Sequence, residues 1–439
     1  MIFNKIKFYI NESYHRPISK IKSIQVSFLK LFYSNSTDVF SERSFLFKKP
    51  IQNLEFYNSC GRILLYLKLF ISIIFYNRFP NSNNIKLNTK SDLDITNNTD
   101  STLFSIVPLV PFHNLEKIDS LEVDYQQLYK AYLNHSNAYK NLNGDSLWWI
   151  KCRSEFKSLF IKDNQINRLA IESFRIGSFS SASLLSDSSR LLNFEKSERI
   201  RKINSLRLVM HYHELAQRIN TNILLVNSES NVGKPPKLYY RGVNLSQRIL
   251  RYSYYISSII DYLPSIQLGG QIIADIGGGY GGLIRSLAHF CSKNTYILCE
   301  LPETLLLANF YLCSCFPAFK VLHVFSIEQL KDLPVICKDY QFVFITPDLF
   351  CKLDSMFINL AINTTSLSEM TTSAQESYVK VIERTSEFLY SVNRYQFRKD
   401  KYNTSGFSGL DFKHKWFPLK TSFTHTYHLE FIGRNYGRI

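Results

Sequence analysis

A chain of 439 residues with 45% hydrophobic and 20% charged residues can bury more than one core, which excludes a disordered or fibrous class and leaves room for two domains. A formal charge of +16 and a pI near 9.3 favour an anionic partner, yet the Lys and Arg residues are spread rather than gathered in an arm, and no zinc-finger or RNA-recognition signature occurs, so nucleic acid is not expected. Eight cysteines with no C-x-x-C pair exclude a disulfide framework and read as reduced, mostly buried thiols of a cytoplasmic protein.

Residues 1–80 are basic and aromatic and end in the apolar stretch Ile63–Tyr76. Lys68 interrupts that stretch, which is shorter than the roughly 20 apolar residues a spanning helix needs. Arg62 and Arg78 flank it, so it reads either as a helix packed on the protein or as one lying on an anionic membrane surface, which would make the protein membrane-peripheral. Residues 81–102, rich in Asn, Thr, Ser and Asp, read as a linker. A mainly helical domain is expected over 103–265, with Tyr125–Tyr139, Leu147–Ile161, Ile200–Ile219 and Leu245–Leu263 as its clearest segments. In the last of these Ile249, Tyr252, Ile256, Ile259 and Leu263 form one stripe, which Pro264 ends.

After Pro264 the period changes. Strands at Gln271–Ile276, Thr295–Leu301, Lys320–Phe325 and Tyr340–Thr346 alternate with helices at Gly282–Cys291 and Glu303–Cys315. Further strands are expected at Phe388–Val392 and at His425–Ile432, the last antiparallel at the far side of the sheet. The predicted fold is α/β: over 266–439 a Rossmann-like parallel sheet with helices on both faces, preceded by the helical domain.

The chemistry centres on Asp275-Ile276-Gly277-Gly278-Gly279-Tyr280-Gly281, an apolar strand running into an acid and then spaced glycines. Such a turn gives a tight bend and close backbone approach to a nucleotide-type cofactor. A dinucleotide would present a diphosphate there and gain little from a carboxylate, whereas S-adenosylmethionine carries an ammonium and a sulfonium, so Asp275 favours the methyl donor. In an open α/β sheet the ligand sits at the carboxyl ends of the strands, and three more ends follow. Glu300, with Leu301, stands about 20 residues beyond the glycines, the interval of a carboxylate that binds ribose hydroxyls. Phe325-Ser326 is placed beside the adenine. Thr346-Pro347-Asp348 is placed where a methyl acceptor would meet the sulfonium, with Asp348 read either as the base that takes the hydroxyl proton or as a helix cap. His425 and His428 are the other candidate bases; on one strand they face opposite sides, so at most one enters the pocket. No cluster has metal-ligand spacing.

Several blocks together resemble the sugar O-methyltransferase family of polysaccharide and glycosylated natural-product pathways. They are Ile273-Ala274-Asp275-Ile276-Gly277-Gly278-Gly279-Tyr280-Gly281-Gly282-Leu283, Cys299-Glu300-Leu301-Pro302-Glu303-Thr304, Ile362-Asn363-Thr364-Thr365-Ser366-Leu367-Ser368-Glu369-Met370 and the closing His428-Leu429-Glu430-Phe431-Ile432-Gly433-Arg434. Upstream, Val232-Gly233-Lys234-Pro235 and Leu250-Arg251-Tyr252-Ser253-Tyr254-Tyr255 are similar too, with Lys234 where the family has Asn. The resemblance covers about residues 120–439. It implies a class I, S-adenosylmethionine-dependent methyltransferase acting on a sugar or glycan hydroxyl.

Asn363, Ser366 and Glu369, read as three positions along one side of a helix, supply the donors and acceptors that sugar recognition needs. Ser366 and Glu369 also match a capping box. A nicotinamide-dependent oxidoreductase and a non-catalytic Rossmann-like scaffold remain the competing classes.

Overall fold

The computed structural model describes residues 123–141, 144–175, 208–235, 237–394, 416–423 and 428–435. The chain divides into two compact units, Met1–Ile85 with Ser197–His213 and Lys86–Lys196 with Glu214–Ile439. Of the first, only residues 208–213 are described, and they are helical. The expected N-terminal segment 1–80, the linker 81–102 and His425 lie outside the described residues. Among the described residues no helix is long and apolar enough to cross a membrane.

The second unit opens with helices that begin where the sequence supplies a cap. Asp124 accepts the N–H groups of Gln126 and Gln127 ahead of α1 (Tyr125–Ala138), and Ser146 accepts that of Trp149 ahead of α2 (Leu147–Phe160). A short hairpin, β1 (Ile161–Lys162) and β2 (Gln165–Ile166), leads to α3 (Arg168–Glu172). After α4 (Thr221–Val226), a second hairpin of β3 (Leu238–Tyr240) and β4 (Val243–Leu245) precedes α5 (Gln247–Tyr262), whose cap is Ser246. The stripe read from the sequence is the buried face of α5, and Pro264 turns the chain into a 3-10 segment.

From there strands and helices alternate: β5 (Ile272–Ile276), α6 (Gly282–Phe290), β6 (Thr295–Cys299), α7 (Pro302–Cys315), β7 (Val321–Val324), α8 (Glu328–Ile336), β8 (Phe342–Ile345), α9 (Pro347–Phe350), β9 (Ile358–Thr364), α10 (Thr372–Thr385) and β10 (Ser386–Arg394). Two more strands, β11 (Trp416–Phe423) and β12 (His428–Asn435), complete an eight-stranded sheet in the order β11-β12-β10-β9-β5-β6-β8-β7. The strands from β7 across to β10 are parallel, and β12 and β11 run antiparallel at one side. The fold is Rossmann-like. Successive residues of β5 serve opposite faces: Ile273 joins the core under α5, α6 and α7, and Ala274 joins the core under α8 and α10.

Three features differ from the sequence reading. Residues 358–364, expected to lead into a helix carrying Asn363, form strand β9 between β5 and β10. β8 pairs with β6 on the side away from β5, so its end is not beside the glycine turn. The closing strand is antiparallel at the far side of the sheet as expected, but an unexpected strand, β11, covers its outer edge.

One buried group ties the antiparallel side to α5. The Glu430 carboxylate, with no exposed surface, accepts Tyr254 Oη at 2.7 Å, Ser258 Oγ at 2.6 Å, Tyr390 Oη at 2.9 Å and Lys420 Nζ at 2.8 Å. Burial alone would raise its pKa, but Lys420, Ser258 and Tyr254 together hold it below the ordinary value.

Candidate functional site

The chain runs from β5 outward to β7 and then crosses back to β9, so the strand order reverses between β5 and β9. A crevice at the carboxyl ends of these two strands is where an open α/β sheet takes its ligand. The glycine turn forms one lip. Gly277, Gly279 and Gly281 have φ of 71°, 62° and 83°, which side chains disfavour. A Cβ on Gly278 would lie 2.3 Å from Asp275 Oδ2, whereas one on Gly279 would meet nothing within 4 Å. The turn is therefore closed on the Asp275 side and open above Gly279.

Three N–H groups of this turn face the protein. Gly277 donates to Cys299 O at 2.9 Å, Gly279 to Glu300 Oε1 at 2.8 Å and Gly281 to Gly278 O at 3.2 Å. Glu300 Oε2 accepts the N–H of Leu301 at 2.9 Å, so this carboxylate stitches the end of β6 to the glycine turn. Asp275 is fully buried, and neither of its oxygens has a hydrogen-bond partner. Burial, and then the charge of Glu300, push its pKa up to about 8. Burial likewise raises Glu300 to about 7, against the backbone N–H groups of Leu301 and Gly279 and together with Glu369 and Asp145. Two carboxyls with no cation paired to them among the described residues, beside a glycine cradle, fit a positively charged ligand and oppose a diphosphate.

The other lip is the end of β9. Asn363 is fully buried and all its hydrogen-bonding capacity is engaged: Nδ2 donates to Ile276 O at 2.7 Å and Ser366 Oγ at 3.1 Å, and Oδ1 accepts Leu367 N at 3.2 Å and Asn393 Nδ2 at 2.9 Å. A Cβ on Gly277 would collide with Ser366 Oγ at 1.9 Å. Asn363 and Ser366 therefore brace the glycine turn from a strand end. Thr365 between them holds a φ of 65°, a strained value for a β-branched residue, and donates its N–H to Val392 O at 2.6 Å. Glu369 stands in the 3-10 turn Leu367–Glu369, 3.7 Å from Arg394; no side-chain cap joins it to Ser366.

The connection from α1 to α2, here called the roof, is close enough to Glu300 for Asp145 to raise its pKa. It is held by the Lys140 N–H on Asp348 Oδ2 at 2.5 Å and by Thr371 Oγ1 on Gly144 O at 3.1 Å. Arg153 clamps α2 down through Glu303 at 2.8 Å and Asp145 at 2.9 Å.

The expected site residues thus separate. Asp275, Gly277–Gly281, Glu300, Leu301, Asn363, Ser366 and Glu369 surround the crevice. Tyr280 turns away from it, its ring packed edge-on to Tyr311 at 4.8 Å. Asp348 follows β8, beyond β6, and anchors the roof. Ser326 follows the edge strand β7 and donates its N–H to Gln329 Oε1 at 3.1 Å. His428 opens β12 opposite Arg394. The roof residues Asp145 and Arg153 carried no motif; only their place in and before a capped helix marked them.

No protein-family model matches the sequence, and no curated protein does. Among solved structures the chain is similar to a magnesium protoporphyrin IX methyltransferase from Synechocystis with bound S-adenosylhomocysteine, at 14% identity and a TM-score of 0.29, over 42% of this chain and 83% of that one. It is similar to human N-acetylserotonin methyltransferase in complex with S-adenosylmethionine at 14% identity and 0.26, over 42% and 56%. It is similar to the pyocyanin biosynthetic protein PhzM at 7% identity and 0.28, over 43% and 57%. At such identities the chemistry has to be read from the site.

Proposed function

We propose that this protein is a methyltransferase that uses S-adenosylmethionine and methylates a hydroxyl of a sugar or glycan. The observation that carries the cofactor is the Asp275 carboxylate, without a hydrogen-bond partner among the described residues, under a glycine turn three of whose N–H groups are turned inward. A nicotinamide dinucleotide needs those N–H groups for its diphosphate, so the oxidoreductase reading loses its support. The sugar acceptor rests on the sequence blocks alone.

When bound, the cofactor supplies an electrophilic methyl group. Asp275 and Glu300 ionise against its positive charge, and Glu300 also presents lone pairs to ribose hydroxyls. The braced β9 end and the roof exclude water and align the acceptor oxygen. Glu369, which follows β9, is the carboxyl nearest the reversal point to receive the hydroxyl proton, and His428 and Asp348 each stand one strand further out.

Titration calorimetry with S-adenosylhomocysteine tests the reading. Wild type is expected to bind, and Gly279→Val, which fills the open side of the turn, is expected to bind at least about tenfold more weakly while keeping its circular dichroism. Absence of binding by the wild type would sink the proposal.

A pH dependence follows. Asp275 at about 8 and Glu300 at about 7 bind protons in the free protein that a cationic ligand must displace. Affinity should therefore rise from pH 6 to pH 8, by about tenfold per unit for each proton released. A flat profile would show both groups already ionised.

A further inference from the structure

Helix α2, which follows the roof, is buried on one side only. Cys152, Phe156 and Phe160, with the half-buried Trp149 and Arg153, form one stripe toward the protein. On the opposite side, at helical spacing, stand Leu147, Ile150, Lys151, Ser154, Lys157 and Ser158, all exposed. No carboxylate belongs to that row, and Glu155 at its flank is paired with Lys151 at 3.6 Å.

The same composition continues past the helix. Twelve large apolar side chains are exposed among the described residues, and four of them lie within 147–169: Leu147 at 61%, Ile150 at 49%, Leu159 at 43% and Leu169 at 80%. The exposed charges of that stretch are Lys151, Lys157, Lys162 and Arg168 against Asp163 alone. Apolar and basic side chains together suit a partner with an apolar interior and a negative boundary, which is an anionic bilayer. A nucleic-acid strand would engage the basic residues and leave Leu147, Ile150 and Leu169 in water. Protein interfaces, for their part, are depleted in lysine.

The start of α2 borders the crevice. Asp145, two residues before Leu147, acts on the charge of Glu300, and Gly144 O is held by Thr371 at 3.1 Å. A bilayer met by this helix therefore lies next to the ligand.

We infer that the outward face of α2 docks the protein on an anionic membrane surface. The docking does not rest on the function proposed above; an acceptor carried on a lipid, which the placement favours, does.

Sedimentation of the full chain with vesicles tests the inference. Vesicles of phosphatidylglycerol and phosphatidylcholine in equal parts should bind the wild type, and phosphatidylcholine alone should bind it at least about tenfold more weakly. Lys151→Gln with Lys157→Gln should weaken binding to the mixed vesicles by about fivefold for each charge removed. Leu147→Ser with Ile150→Ser should weaken it by at least about tenfold. All four side chains are exposed, so the melting temperature and the affinity for S-adenosylhomocysteine should stay as in wild type. Failure of the wild type to bind the mixed vesicles would overturn the inference. So would binding unaltered in both pairs of variants, which would place the contact elsewhere, as on the basic segment 1–80. Release by the lysine pair alone would mark the face as a contact for nucleic acid or an acidic protein and overturn it as well. A wild type that binds the vesicles but not S-adenosylhomocysteine would remove the methyltransferase reading and leave the docking standing.

Discussion

Asp275→Asn is expected to weaken S-adenosylhomocysteine binding by about 100-fold, close to 2.7 kcal/mol, while making the ligand-free protein more stable at pH 7 and at pH 9. The two signs have one cause. The carboxyl is fully buried and without a partner, and burial followed by the charge of Glu300 raises its pKa to about 8. Raised above its unfolded value, it stabilises the free protein fully below the ordinary carboxyl value of 3.8, and that contribution is lost progressively as pH rises from there to about 8. Asn keeps the shape and never ionises, so the loss disappears. Binding behaves oppositely, since a neutral amide cannot compensate a cation. Melting curves at pH 7 and pH 9 beside calorimetry read both effects, and a variant less stable at both pH values would show that the carboxylate serves the fold.

Glu430→Ala should have the larger effect on stability. It would strand the Lys420 ammonium and three hydroxyls, from Tyr254, Ser258 and Tyr390, in a fully buried place. Breaking a buried, fully satisfied pair costs about 3 to 5 kcal/mol, which for a unit of this size lowers the melting temperature by roughly 10 °C. Glu430→Ala combined with Lys420→Met should recover a large part, because no charge is then left unpaired. A single substitution costing under about 1 kcal/mol would mean that water reaches the group.

Local pattern carried much of the architecture. The starts of α1, α2 and α5 follow from Asp124, Ser146 and Ser246 as caps, and β5 with its glycine turn is where the apolar run and the spaced glycines put it. β9 was illegible because Asn359 and Asn363 interrupt its apolar run, and asparagine disfavours strands in isolation. Here both are satisfied by neighbours far along the chain: Asn359 Oδ1 takes the N–H of Ile272 at 2.9 Å, and Asn363 braces the turn.

The same polar residues that looked like sugar contacts are thus explained by a strand order that no local signal encodes. The place of Asp348 follows from the same order, since β8 joins β6 from the far side.

The four bonds of Asn363 and the Ser366 hydroxyl filling the space over Gly277 make the β9 lip and the glycine lip one body. A crevice with an unyielding floor can widen only upward. Any widening has to come from the side of the connection between α1 and α2 and the Arg153 clamp.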